Sequence, residues 1–295
     1  NPWWARPFEL FAGMIGTPDG NEADPSLLVA IMMPLLFGYM FGDIGHGFVL
    51  LLIGLLLQKR WPLLRIQVIN GAAAMVFGVV FGSVFGREDI IPALWLHPLE
   101  QPLPVMMVPL AGGVVILLLG LVLNAVESWW RSEFGDWLRV EAAVLCMYLS
   151  LLAALFRPGS LLITGGCLVW YLAGNLHGVR SGRLARLGVA LGTLVESIMQ
   201  LLINTISFVR VGAFALAHGG LSLAFVIMAG ATENVVAGIL IMLLGNVIVI
   251  LLEGLVVTIQ TTRLVLFEFF IRFLRGSGRM FRPLAAPRET VDLRE

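Results

Sequence analysis

Two arginines, Arg210 and Arg263, stand inside long apolar runs. A guanidinium keeps its charge at any working pH, and at the centre of a membrane helix it costs about 2.5–3.5 kcal/mol on insertion scales. Neither arginine has a carboxylate one helical turn away. Arg210 is flanked by Ile206, Ser207, Ala213 and Phe214, and Arg263 by Ile259, Gln260, Leu266 and Phe267. Their partners must therefore come from another helix, another chain or water. Polar residues recur at helical spacing around both. Thr193, Glu196, Gln200, Asn204, Ser207 and Arg210 follow one another at three or four residues, with His218 and Ser222 further on. Asn246, Glu253, Gln260 and Arg263 form a second row. Steps of this kind keep one helix face. The chemistry open to such rows is proton transfer along a wet path. A buried polar network that only locks two helices is the other reading. The extent of the rows, along most of each helix, favours the path.

The elements that carry these rows must cross a membrane. Of the 295 residues, 59% are hydrophobic and 13% charged, against about 25% charged in a soluble domain. A globule with so little polar surface would precipitate, which excludes a soluble enzyme, a disordered chain, a nucleic-acid binder and a secreted disulfide scaffold. The fold class expected is all-α, a polytopic helical bundle. Eight apolar segments are expected, near 26–42, 44–57, 66–85, 105–124, 140–156, 160–176, 188–228 and 235–273. The last two are long enough to demand tilt or protrusion, since a hydrocarbon core spans about 30 Å. With the N-terminus in the cytoplasm, fifteen of the 19 Lys and Arg residues fall on cytoplasmic segments, and only Arg87 and Arg157 fall outside. That bias predicts eight spans with both ends cytoplasmic. The seventh span then runs outward and the eighth inward. Glu196, Gln200 and Asn204 fall on the cytoplasmic side of Arg210, and His218 falls beyond it. Glu253 lies outward of Arg263, and Glu268 lies on its cytoplasmic side. Titratable groups on two sides of a cationic plane are the form that two offset half-channels take in a sequence.

Four regions follow: a pre-membrane segment (1–25), a six-helix bundle (26–187), two long tilted helices with the ion path (188–275), and a cytoplasmic tail (276–295). The chain starts at Asn1 without a signal pattern, and it reads as part of a longer protein. Glycines at Gly38/Gly42, Gly78/Gly82/Gly86 and Gly188/Gly192 are spaced for close helix contact. Cys146 and Cys167 lie in apolar stretches and read as packing residues. Asp43 and His46 are read as turn-capping and packing residues of a tight hairpin. His97 and His177 are placed at solvated span ends, and Glu127 and Glu141 are read as surface partners of Arg131 and Arg139. No haem, other cofactor or metal site is expected, and no phosphate-binding G-x-x-x-x-G-K-[ST] motif is present.

Two stretches carry a family resemblance. One is Met40-Phe41-Gly42-Asp43-Ile44-Gly45-His46-Gly47. The other runs Thr205-Ile206-Ser207-Phe208-Val209-Arg210 to Leu216-Ala217-His218, with Leu252-Glu253-Gly254 and Thr262-Arg263-Leu264 downstream. In order and spacing the chain resembles the membrane domain of subunit a, also called subunit I, of V-type and A-type rotary ATPases. Eukaryotic members carry Leu and a Trp around the first Arg, where this chain reads Val-Arg-Val-Gly. With its short loops, that points to a bacterial or archaeal plasma-membrane member. The resemblance implies the stator side of an ion-driven rotary motor that couples ion flow to ATP synthesis or hydrolysis. Its implied partners are a rotating ring of proteolipid subunits (the c or L ring) and the peripheral and central stalks, with no nucleic acid. Arg210 and Arg263 would be the obligatory charges. Glu196, Gln200, Asn204, Ser207, His218, Glu253, Gln260 and Glu268 would line the half-channels. A stand-alone transporter of an anionic substrate, and an assembly subunit whose polar rows only hold partners, are the competing readings.

Overall fold

The computed structural model describes residues 6–8, 26–88, 90–95, 97–176 and 183–269. Most of the expected pre-membrane segment, His177 and the 276–295 tail lie outside the described residues. The described chain is a bundle of helices with no strand. Helix α1 (Ser26–Met40) and helix α2 (Ile44–Leu57) form a hairpin. Helix α3 (Arg65–Phe81), α4 (Pro102–Trp130), the short α5 (Phe134–Arg139), α6 (Glu141–Ala154) and α7 (Leu161–Leu176) follow. Then come α8 (Arg183–Ser207), α9 (Val209–Gly230), α10 (Val235–Ile248) and α11 (Gly254–Leu264). Six stretches are long and apolar enough to cross a membrane by length and composition, with α1 and α2 as two shorter apolar helices. The protein is a multi-pass membrane protein.

The chain reverses between α1 and α2 because Asp43 caps α2, accepting the backbone N–H of His46 at 3.0 Å. This is the capping role read from the sequence. The glycines of this region then let backbones meet. A Cβ on Gly47 would sit 2.8 Å from the carbonyl oxygen of Gly71 on α3, and one on Gly38 would sit 2.8 Å from the backbone of Ala73. Helix α3 ends at Gly82, whose φ of 72° is left-handed, and Gly86 (φ 73°) lies in the loop beyond. Both serve the turn, which corrects the reading of the Gly78/Gly82/Gly86 row as one helix face, although Gly86 also lets the loop approach Ser222 of α9, where a Cβ would sit 2.6 Å from its Cβ. Gly188 and Gly192 meet nothing within 4 Å, so among the described residues that pair makes no close helix contact either.

One core joins α1, α3, α4, α9 and α11, with Phe37, Phe41, Leu117, Phe208 and Leu264 at its centre. A second joins α6, α7 and α8 through Ala143, Met147, Cys167, Tyr171, Ala190 and Leu194. Cys146 and Cys167 are free thiols at this second core. Glu127 is buried, with Arg131 Nη2 at 3.8 Å from its carboxylate, and Arg139 bonds Asp136 at 3.0 Å. The surface pairing expected of Glu127 is therefore corrected, because α4 continues to Trp130 and turns Glu127 inward.

Two irregularities shape the long C-terminal helices. The 48-residue stretch Arg183–Gly230 breaks at Phe208 into α8 and α9. Thr205 Oγ1 bonds back to the carbonyl of Leu201 at 2.7 Å and meets the hydroxyl of Tyr148 at 2.6 Å. Such back-bonding bends helices, and the buried Phe208 ring then packs on Gly113 of α4. The last stretch carries two π-helical turns, Val249–Glu253 and Val265–Phe269. π turns insert a residue into the helix and gather at functional sites.

Candidate functional site

Helices α9 and α10–α11 lie antiparallel, and their side-chain contacts set the register. Gly238 packs on the carbonyl of Ala229, and Gly245 on the ring of Phe225. Further along, His218 meets Glu253, and Arg210 meets Gln260 and Glu268. Glu253 and Glu268 both belong to the π turns. The polar residues fall into two groups. His218 and Arg210 are eight residues apart on α9, so the groups are separated by about 12 Å along the axis.

The first group surrounds Arg210. Its Nη1 donates to Oε1 of Gln260 at 3.1 Å, and its Nη2 lies 3.3 Å from Oε1 of Glu268. Nη2 also donates to Ser207, whose hydroxyl donates to Glu268 at 2.6 Å. Arg210 thus takes its acidic partner from another helix of the same chain, one of the three sources the sequence leaves open, and not from a ring carboxylate alone. The carboxylate reaches it because the Val265–Phe269 π turn brings Glu268 onto the α9 side. A guanidinium has five N–H donors, and these contacts use three. The Arg210 side chain keeps 22% of its surface exposed.

The second group is built from four elements. Asp43, at the α1–α2 turn, is fully buried. It accepts from the His46 N–H, from Ser83 Oγ at 2.6 Å, and from the N–H groups of Phe85 and Gly86, both at 2.9 Å. Phe85 is held at φ 51°, a strained conformation for a residue with a Cβ. His46 Nε2 lies 2.7 Å from Oδ1 of Asn246. Asn246 donates its Nδ2 to the carbonyl of Met242. Its Oδ1 is therefore the accepting atom, and His46 Nε2 carries a proton. His218 Nδ1 lies 2.5 Å from Oε2 of Glu253. The two imidazole rings stand 5.3 Å apart, edge to face, with Phe41 against both. Helical spacing places His218 and Glu253 in the path, whereas Asp43 and His46 carry only a capping and packing signal. Their convergence joins residues some 170 positions apart, and no local spacing signals that.

Arg263 does not join its row. Its side chain is exposed, with no partner among the described residues. Its neighbours one turn either way, Ile259 and Phe267, are also exposed, at 55% and 59%. On α8, Glu196 and Gln200 are exposed and Asn204 is half-buried. They line a helix face that also shows Val195, Met199 and Ile203 to the outside. A cavity of about 990 Å³ opens between the α3–α4 loop and helices α9 and α10. Arg87, Val84, Phe85 and Ile90 line one wall, and Asn246 closes the end beside His46.

With this arrangement in view, residues 5–82 match the V-type ATPase 116kDa subunit family. The chain is similar to the A-type ATP synthase subunit I of Pyrococcus horikoshii, 29% identical over 324 residues and 99% of this chain. It is similar to the same subunit of Aeropyrum pernix (28% over 350 residues, 96% of this chain). A shorter stretch, 92 residues covering 29% of the chain, is 38% identical to that of Archaeoglobus fulgidus. The chain spans about half the length of the first two relatives, 48% and 50%.

Proposed function

Because the chain belongs to the V/A-type rotary ATPase subunit a/I family, we propose that it is the fixed membrane element of such a motor. It offers two offset proton half-channels and two arginines to a moving ring of proteolipid subunits. One observation carries the reading. Arg263 lies exposed on an apolar face between Ile259 and Phe267, without a partner among the described residues. In lipid that position is untenable alone, and it calls for carboxylates supplied by another polypeptide.

A ring carboxylic acid facing lipid stays protonated, because a bare charge there is costly. Beside a guanidinium the ionised form is favoured, so the acid gives up its proton at the arginines and takes one back on leaving them. The His218–Glu253 and His46–Asn246 pairs, with the cavity that ends on Asn246, serve the outer path. Glu196 and Gln200, exposed on α8, and the half-buried Asn204 serve the cytoplasmic one. Between them Arg210, tied to Gln260 and Glu268, blocks a direct proton leak. Its two unused N–H groups remain for a ring carboxylate. Both termini face the cytoplasm, and the stalk subunits complete the complex.

The test is ATP-driven proton pumping by the whole complex in vesicles. Arg263→Ala and Arg210→Ala should each abolish pumping while the complex still assembles. Normal pumping by an assembled Arg263→Ala complex would reject the proposal.

A further inference from the structure

Asp43, His46 and His218 meet in the buried interior, where one ligand atom from each lies within 4.8 Å of the others. The hydrogen bonds around them decide which atoms face inward. His46 spends its Nε2 proton on Asn246, which leaves Nδ1 with a bare lone pair in the neutral ring. That Nδ1 lies 3.4 Å from Oδ1 of Asp43, so two electron-rich atoms face each other. With its Nδ1 turned to the Glu253 carboxylate, the neutral His218 ring presents Nε2 as the lone pair. Both nitrogens are buried without a hydrogen-bond partner, on residues 0% and 5% exposed. Ser222, one turn beyond His218 and packed on Gly86, also has a buried hydroxyl with no partner.

We propose that Asp43, His46 and His218 form a binding site for a divalent transition-metal ion of the zinc type. Three protein ligands of N, N and O type with an open fourth position suit that ion. Metal–ligand bonds of about 2.0–2.1 Å at tetrahedral angles place ligand atoms about 3.3 Å apart, close to the 3.4 Å between His46 Nδ1 and Asp43 Oδ1. One ring nitrogen of His218 lies within 4.8 Å of the other two ligand atoms, so closing to that spacing takes a shift of about 1.5 Å. The surroundings complete the design of a metal centre. Glu253 and Asn246 each hold the far nitrogen of a ligating ring, and three backbone N–H groups fix the Asp43 carboxylate. An ion seated there occupies the one free nitrogen of His218. On the reading given under Proposed function, on which this consequence rests, the ion closes the outer half-channel.

The intact complex, stripped with chelator and titrated with Co2+, tests the site. The parent should gain one equivalent of Co2+ with the strong visible bands of a tetrahedral centre. His46→Gln and His218→Gln should each weaken that binding at least tenfold, and Cys167→Ser should leave it unchanged. Pulsed EPR of the parent, which needs no variant, should detect two imidazole nitrogens on the bound ion. Equal Co2+ stoichiometry and bands in parent and both histidine variants, or a spectrum without imidazole coupling, would overturn the site. Zn2+ should inhibit pumping at least tenfold in the parent. Tight binding with undiminished pumping would keep the site and refute the half-channel instead.

Discussion

Replacing Asp43 should damage this protein in proportion to the number of donors left stranded. The carboxylate is fully buried and accepts four hydrogen bonds, three of them from the backbone N–H groups of His46, Phe85 and Gly86. Those three cannot turn elsewhere, because α2 and the α3–α4 loop hold them in place. The fourth donor, Ser83 Oγ, can rotate. At about 1–3 kcal/mol for each buried donor left unpaired, Asp43→Ala should lose about 3–9 kcal/mol, comparable with the whole stability of many proteins. Asp43→Asn keeps one acceptor oxygen but turns an NH2 toward at least one backbone N–H, for a loss of about 2–4 kcal/mol. Ser83→Ala removes one donor and leaves three, for about 1–2 kcal/mol. Graded SDS unfolding of the detergent-solubilised subunit, followed by helical circular dichroism, should rank the variants in that order. If Asp43→Ala unfolds no more easily than Ser83→Ala, the hydrogen-bond argument is wrong.

Other substitutions probe other parts of the fold. Gly188→Ala should be neutral or stabilising by up to about 1 kcal/mol, as expected for a helix glycine with open space around it. Gly78→Ala, whose Cβ would sit 2.7 Å from the backbone of Asp43, should destabilise clearly in the same unfolding assay. Tyr148→Phe removes the hydroxyl that meets Thr205 at the α8–α9 bend and should lose about 1 kcal/mol, again by SDS unfolding. Glu268→Gln keeps a hydrogen-bonding oxygen for Ser207 and Arg210. It should slow ATP-driven pumping several-fold without abolishing it, whereas Arg263→Ala should leave none.

Length and hydrophobicity alone place most of the apolar segments closely, although α4 runs on to Trp130 past its expected end at 124 and α8 starts at Arg183 ahead of 188. Ile44–Leu57 matches its expected bounds, and the ends at Met40 and Leu176 differ little from expectation. The capping role of Asp43 was readable too, because an Asp before a glycine-rich helix start has few other uses. Facing directions beyond an irregular turn were not readable. Helical spacing put Arg263 in line with Gln260, but the side chain points outward, and Glu268 reaches Arg210 through a π turn that no local pattern announces. The bend at Phe208 had a faint signal in Thr205 and Ser207, whose hydroxyls compete for backbone carbonyls. The meeting of Asp43 and His46 with His218 had none, since it depends on how α9 packs against the α1–α2 turn.

The two wide turns of the final helix have a consequence for its evolution. A π turn holds one more residue than an α turn, so losing one residue from Val249–Glu253 or Val265–Phe269 would still leave an unbroken helix. The change would show as a rotation of about 100° in everything on one side of the lost residue. A one-codon deletion there would leave hydropathy and length nearly untouched, yet it would withdraw a carboxylate from its histidine or its arginine. Sequence variants in these two places should therefore be screened by the direction their side chains take.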